Sequence, residues 1–158
     1  MTENPDLYIK ECSDAGADTV TVHPESCIHL HRKLSAIREL GMKAGVAVNP
    51  STPLSFYPYT ADLIDEILIM TVNPGFSGQK TIKRALAKVS EAYQMIKKEG
   101  FSTSINVDGG MNISTAPEAI ALGADTLVMA SAFYGSDDPA GLVKKVKEIK
   151  LRGEIETY

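Results

Sequence analysis

The sequence predicts an α/β fold made of repeated βα units with parallel strands. Helix-period segments alternate along it with short runs rich in Val, Ile and Leu, most of them entered through a glycine. The runs are brief and nearly continuous in apolar character, which fits parallel strands covered on both faces; half-exposed antiparallel strands would alternate apolar and polar residues. One junction also occurs twice: Ala15-Gly16-Ala17-Asp18-Thr19-Val20 is echoed by Leu122-Gly123-Ala124-Asp125-Thr126-Leu127, each a helix-ending glycine leading into a strand.

The elements follow in order. A helix is predicted over Asn4 to Ala15, with Asn4 before Pro5 as its N-terminal signal, and then a strand over Thr19 to His23. The helix Ile28 to Leu40 ends at Gly41 with Arg38 in its last turn, and the strand Ala44 to Val48 follows. A short helix over Pro53 to Ala61 leads to the strand Glu66 to Val72. The long helix Gln79 to Glu99 stops at Gly100, behind Lys97 and Lys98, and precedes the strand Ser104 to Val107. A helix over Ser114 to Leu122, with Ser114 and Glu118 marking its start, a strand over Thr126 to Ala130 and a helix over Asp137 to Lys150 complete the chain.

The chain has 158 residues, 44% apolar and 23% charged, which suits one domain with a substantial core, assigned to residues 1–158. Its formal charge of −4, with no basic run, argues against a nucleic-acid partner or a polybasic membrane patch. No segment approaches a membrane span, and Met1 to Asp6 lack a signal-peptide pattern, so a cytoplasmic setting is expected. Cys12 and Cys27 are too few for a disulfide framework and lack the Cys-x-x-Cys spacing of a zinc or redox site. From Val20 to Leu127 the strand centres take four steps over 107 residues, about 27 per unit. Eight such units would need roughly 214 residues, inside the range of a (βα)8 barrel. The chain is therefore either an open five-stranded sheet or the last five-eighths of a barrel.

In parallel α/β folds, sites gather at the carboxyl ends of strands. The third exit reads Met70-Thr71-Val72-Asn73-Pro74-Gly75-Phe76-Ser77-Gly78-Gln79, where glycines let backbone N–H groups approach an anion ahead of a helix. A tight loop without a ligand would use the same glycines. The fourth exit, Ile105-Asn106-Val107-Asp108-Gly109-Gly110, puts a carboxylate at the tip of an apolar strand, although Asp-Gly is also a common turn dipeptide. The fifth, Met129-Ala130-Ser131-Ala132, adds a small-residue turn and a hydroxyl.

These segments resemble the ribulose-phosphate 3-epimerase family. The likeness rests on Gly16-Ala17-Asp18 running into Val22-His23, on Asn49-Pro50-Ser51-Thr52-Pro53, on Met70 through Gln79, on Val107-Asp108-Gly109-Gly110 and on Ala130-Ser131-Ala132. It covers the chain in order and implies a (βα)8 TIM-barrel type of fold, truncated at its N-terminus to about five βα units, strands four to eight. It implies an isomerase that interconverts D-ribulose 5-phosphate and D-xylulose 5-phosphate by metal-assisted proton transfer at C3, in carbohydrate metabolism. Asp108 then matches an aspartate that is both acid/base and ligand to a divalent metal (zinc, iron, manganese or cobalt). Gly75, Phe76, Ser77 and Gly78 fall on one phosphate-side loop, Gly109 and Gly110 on a second, and Ala130 with Ser131 on a third. Met70 matches a methionine packed on the reaction centre. Ser77 and Ala130 stand where the family commonly has glycine.

The resemblance aligns Met1-Thr2-Glu3-Asn4-Pro5 with the end of the family's third strand, so three of the four metal ligands and the partner aspartate would precede Met1. His29 and His31, two apart, would point to different sides of a helix, and His23 reads as a polar loop residue. The chain is thus expected to be the C-terminal portion of a sugar-phosphate 3-epimerase, impaired when alone and prone to associate as a homo-oligomer through open sheet edges. D-allulose 6-phosphate is an alternative substrate, given some support by His23-Pro24-Glu25. Two further alternatives are a non-catalytic sugar-phosphate-binding module and a flavodoxin-like nucleotide binder. The last would need a phosphate loop after the first strand, where Pro24-Glu25-Ser26 has no glycine.

Overall fold

A computed structural model describes the backbone of residues 1–155 and the side chains of residues 1–149. Five strands form one parallel sheet in sequential order: β1 (Thr19–Val22), β2 (Lys43–Val48), β3 (Glu66–Met70), β4 (Ser104–Asp108) and β5 (Thr126–Val128). The helices are α1 (Asp6–Asp14), α2 (Leu30–Glu39), α3 (Lys83–Glu99), α4 (Ala116–Ala121), α5 (Ala130–Tyr134) and α6 (Pro139–Ile155). An arc whose strands never change order has no topological switch point, and a flavodoxin-like sheet, ordered 2-1-3-4-5, requires one. The nucleotide-binder alternative is therefore ruled out by topology.

Every predicted strand forms, and five of the six predicted helices do. The exception is Pro53 to Ala61, which contains only two 3-10 turns, Tyr57–Tyr59 and Ala61–Leu63. Pro58 would break an α-helix there, because it offers no N–H and its ring crowds the preceding turn. What holds the segment is Tyr57, fully buried, whose hydroxyl bonds Thr103 Oγ1 at 2.8 Å. Helix α3 starts four residues later than predicted because Ile82 is extended and gives its N–H to Thr71 O. The expected caps also move. Asn4 makes no cap to α1. Ahead of α4 it is Asn112 Oδ1, not Ser114, that accepts the N–H groups of Ser114 and Thr115.

Gly100 takes φ +75° at the end of α3 and bonds back to Ile96 O, and Gly41 has φ +82° after α2, as their helix-stop reading required. Aspartates at two of the strand entrances have a mechanical use. Asp125 Oδ2 accepts Ile105 N–H, and Asp65, entering β3, accepts Ala44 N–H while Arg38 Nη1 contacts both its oxygens at 3.0 Å. Each carboxylate ties its own strand to the one before it.

One face of the sheet is sealed under α2 and α3 by Ala44, Val46, Val48, Ile67, Ile69, Ile105 and Val107, all buried. The opposite face is only partly covered: Leu68 and Asn106 are half-buried and Val128 is exposed. The expectation of two covered faces thus holds for β2 and fails toward β4 and β5. On that open face Glu66 accepts Thr21 Oγ1–H (2.6 Å) on one oxygen and Asn106 Nδ2–H (3.1 Å) on the other, bracing β1, β3 and β4. It crosses β2 over Gly45, where an added Cβ would lie 2.4 Å from Thr21 Oγ1 and 2.8 Å from Glu66 Cγ. Gly45→Ala should therefore cost about 1–3 kcal/mol, read as a lower urea midpoint at unchanged m-value.

Candidate active site

Because all strands run one way, the exits of β3, β4 and β5 meet at one end of the sheet. They enclose a cleft of about 420 Å3. Asp108 is the last residue of β4 and pairs with Met70 on one side and Val128 on the other. Met70, Asp108, the loop residues Gly75, Phe76, Ser77 and Gly78, and then Gly109, Gly110, Ala130 and Ser131 all line this cleft. The structure thus gathers into one space every residue that the resemblance singles out.

The local framework explains why. Thr71 N–H donates to Asp108 O at 2.7 Å, continuing the β3–β4 ladder past the strands, and the hydroxyls of Thr71 and Thr81 both donate to Gly109 O. Gly110 has φ +65°, and a Cβ there would meet Thr81 N at 2.6 Å and Gln79 O at 2.9 Å. Only glycine lets the β4 exit lie this close to the β3 exit. Gln79 Nε2 donates to the carbonyls of Asn73 (2.7 Å) and Phe76 (2.8 Å), so a side chain closes the glycine loop on itself. Phe76 at the loop's tip is exposed.

Burial pushes the Asp108 carboxyl above the ordinary carboxylate value, and a hydrogen bond from Gly109 N–H opposes the shift in part. A carboxyl poised in this way binds its proton more readily than one in water, which suits a group that must take up and release a proton. Met70 and Met111, both nearly fully buried, supply apolar packing around the cleft.

The sequence alone gave no role to Met111, Val128 or, above all, Gln79, which stood in the motif but whose action as a clamp depends on a fold-back six residues long. Its glutamine after two spaced glycines was the available signal. The three histidines stay out of this cleft. His29 and His31 are exposed, and His23 lies at the exit of β1, 3.8 Å from Glu25 Oε2.

The metal expectation fares differently. Among the described residues no group of three or more His, Cys, Asp and Glu side chains could hold a metal ion, and Asp108 is the only titratable side chain lining the cleft. A single carboxylate does not make a divalent-cation site of the usual kind. These residues therefore do not fit the implied metal.

Comparison with known proteins places the chain in a family. The model for the ribulose-phosphate 3 epimerase family matches residues 1–134. The ribulose-phosphate 3-epimerase of Bacillus subtilis (strain 168) is 45% identical over 151 residues, covering 95% of this chain and 70% of that protein. The chloroplastic ribulose-5-phosphate-3-epimerase of Arabidopsis thaliana is 43% identical over 152 residues, covering 95% of this chain and 54% of that protein. The chain thus spans between about half and 70% of the length of these relatives. In fold it resembles KGPDC from Streptococcus mutans in complex with D-R5P, a TIM-barrel enzyme, with a TM-score of 0.71 at 17% identity over 96% of this chain and 71% of that one. The D-allulose 6-phosphate alternative finds no favour in these relatives, which are ribulose-phosphate epimerases.

Proposed function

We propose that this chain, which belongs to the ribulose-phosphate 3-epimerase family, moves the C3 proton of D-ribulose 5-phosphate and so carries half of that substrate's interconversion with D-xylulose 5-phosphate. One observation supports this reading above the others: a carboxylate with a raised pKa shares a single cleft with three glycine- and serine-bearing strand exits. The exits of β3, β4 and β5 offer backbone N–H groups and the Ser77 and Ser131 hydroxyls to the phosphate. A phosphate held there fixes the sugar chain and confines C3 to the neighbourhood of Asp108. The ionised Asp108 then takes the C3 proton, the C3–H electrons form the C2–C3 double bond, and the C2 carbonyl oxygen becomes the enediolate oxygen. Met70 and Met111 limit water around the reacting carbons.

Among the described residues Asp108 is the only acid in the cleft, so proton return occurs on the face from which the proton left. In D2O the chain should place deuterium at C3 of D-ribulose 5-phosphate with retention, observed by proton NMR. Inversion to D-xylulose 5-phosphate should be slower than in the full-length Bacillus subtilis enzyme by about 10²–10⁴-fold, the usual worth of one acid/base group. A coupled assay with added manganese, iron or zinc measures the second quantity. Full epimerase turnover by these 158 residues would overturn the one-acid reading, and absence of C3 exchange would overturn the proposal itself.

The family's divalent metal, by the same reading, would need donors besides Asp108. We place the protein in the cytoplasm, a setting suited to its two free cysteines. No helix among the described residues is long and apolar enough to cross a membrane. We also propose self-association through the outer edges of β1 and β5, which pair with no strand among the described residues. Light scattering across a concentration series should show mass rising with concentration, and a constant monomer mass would refute it.

A further inference from the structure

The loop at the β3 exit is pinned at both ends. Thr71 N–H donates to Asp108 O, and Ile82 N–H returns to Thr71 O at 2.7 Å, so the chain leaves and re-enters the fold at one place. Between these pins, positions 73–78 have little to hold them. Gly75, Phe76, Ser77 and Gly78 are exposed, and a Cβ added at Gly75 or Gly78 would meet nothing within 4 Å. Neighbouring groups therefore do not wedge the loop into shape. Nor does the backbone, since among the described residues no backbone–backbone hydrogen bond involves positions 73–78.

The loop's bonding comes instead from one side chain. Gln79 Nε2 donates to Asn73 O at 2.7 Å and to Phe76 O at 2.8 Å, and no other hydrogen bond among the described residues reaches positions 73–78. Gln79 itself is half-buried, unlike the glycines it follows. A surface loop whose ends meet and whose own side chain fills its hydrogen bonds keeps a defined shape without packing.

That arrangement suits an anion. The N–H groups of Asn73, Gly75, Phe76, Ser77 and Gly78 donate to no protein acceptor, which leaves them for solvent or a ligand. Carbonyl oxygens on the same loop are the obstacle, because they repel the oxygens of a phosphate. Gln79 ties two of these carbonyls to its own donor. Without that tie the loop would sample other shapes, and apparent affinity falls in proportion to the time spent outside the binding one.

We propose that Gln79 is the positioning residue of this loop, acting through its backbone to set affinity for the phosphate end of the substrate while leaving proton transfer at Asp108 alone. The inference rests on the reading that a ketose phosphate is anchored at the strand exits. Its test compares the 158-residue chain with two variants. Gln79→Met keeps length and bulk without a donor, and Gln79→Glu keeps shape but presents only acceptors at neutral pH. Calorimetry should show binding of inorganic phosphate weakened about tenfold in Gln79→Met and further in Gln79→Glu. KM of D-ribulose 5-phosphate for deuterium exchange at C3 should rise by a similar factor, while the saturated rate changes by no more than about threefold.

Brief chymotrypsin digestion reads the loop itself, because Phe76 is 84% exposed. Cleavage after Phe76, identified by peptide mass, should be at least about fivefold faster in both variants, with Tm unchanged to within about 2 °C. A general structural role would instead lower Tm and the saturated rate together with affinity, and that result would overturn the proposal. Phosphate affinity or Phe76 cleavage equal to the parent's in both variants would overturn it too, as would a parent that binds no phosphate. A parent that binds phosphate with this dependence on Gln79 yet exchanges no deuterium would sink the epimerase reading and uphold the role of Gln79.

Discussion

Asp108→Asn should reduce deuterium incorporation at C3 of D-ribulose 5-phosphate by about 10²–10⁴-fold, while affinity for the sugar phosphate changes by no more than about twofold. The amide preserves shape and the Gly109 contact but cannot hold a proton. The anchoring groups at the β3 and β5 exits are untouched. In the parent chain, exchange should fall as the medium is acidified through the raised pKa of Asp108, hence at a higher pH than a free aspartate would give. Stability should move the opposite way. Because the folded state binds this proton more tightly than the unfolded one, whose value is near 3.8, ionisation of Asp108 weighs against the fold as pH rises. At pH 7 the asparagine variant should melt above the parent, and the gap should close below pH 3.8, a dependence that differential scanning calorimetry resolves. A variant that loses exchange and also melts lower at neutral pH would point to damage to the fold.

Gly110→Ala should be the most disruptive single methyl in the cleft. Its Cβ would enter within 2.6 Å of Thr81 N and 2.9 Å of Gln79 O, both backbone atoms, at a φ of +65° that side chains disfavour. Either the β4 exit retreats or the segment from Gln79 to Thr81 does, and both changes separate the anion-holding loops. We expect affinity for inorganic phosphate to fall at least tenfold by calorimetry, with stability lower by about 2–3 kcal/mol in urea. Gly100→Ala, outside the cleft, is the matched control, since nothing lies within 4 Å of its added methyl despite a similar φ of +75°. It carries the backbone penalty without the collision, so a comparable loss of phosphate affinity there would refute the steric account.

Sequence patterns exposed those features that recur or that chemistry makes conspicuous. Short apolar runs, most of them entered through a glycine, marked all five strands, and Asp108 stood out because a carboxylate stood at the tip of an apolar strand. The long-range partnerships were beyond reach. Nothing local shows that Glu66 spans from β3 to β1, that Gln79 folds back on Asn73, or that Asn112 rather than Ser114 opens α4. The Pro53 to Ala61 segment misled because its composition is apolar enough for a helix. Its fate was set by Pro58 and by a tyrosine anchored to Thr103, 46 residues away in sequence. The half-covered face of the sheet was equally hidden, since apolar side chains read alike whatever lies across from them.

The sequential order of the strands has a geometric consequence. Every strand points the same way, so the β5 margin of one molecule can accept the β1 margin of another without any reversal of polarity. Such a join is head-to-tail, uses two different surfaces and leaves one fresh margin at each end, unlike the self-limiting twofold contact of most dimers. Growth then stops only if the accumulated curvature brings the last molecule back to the first. Rings of fixed number and unbounded filaments are the two assemblies such a head-to-tail join permits.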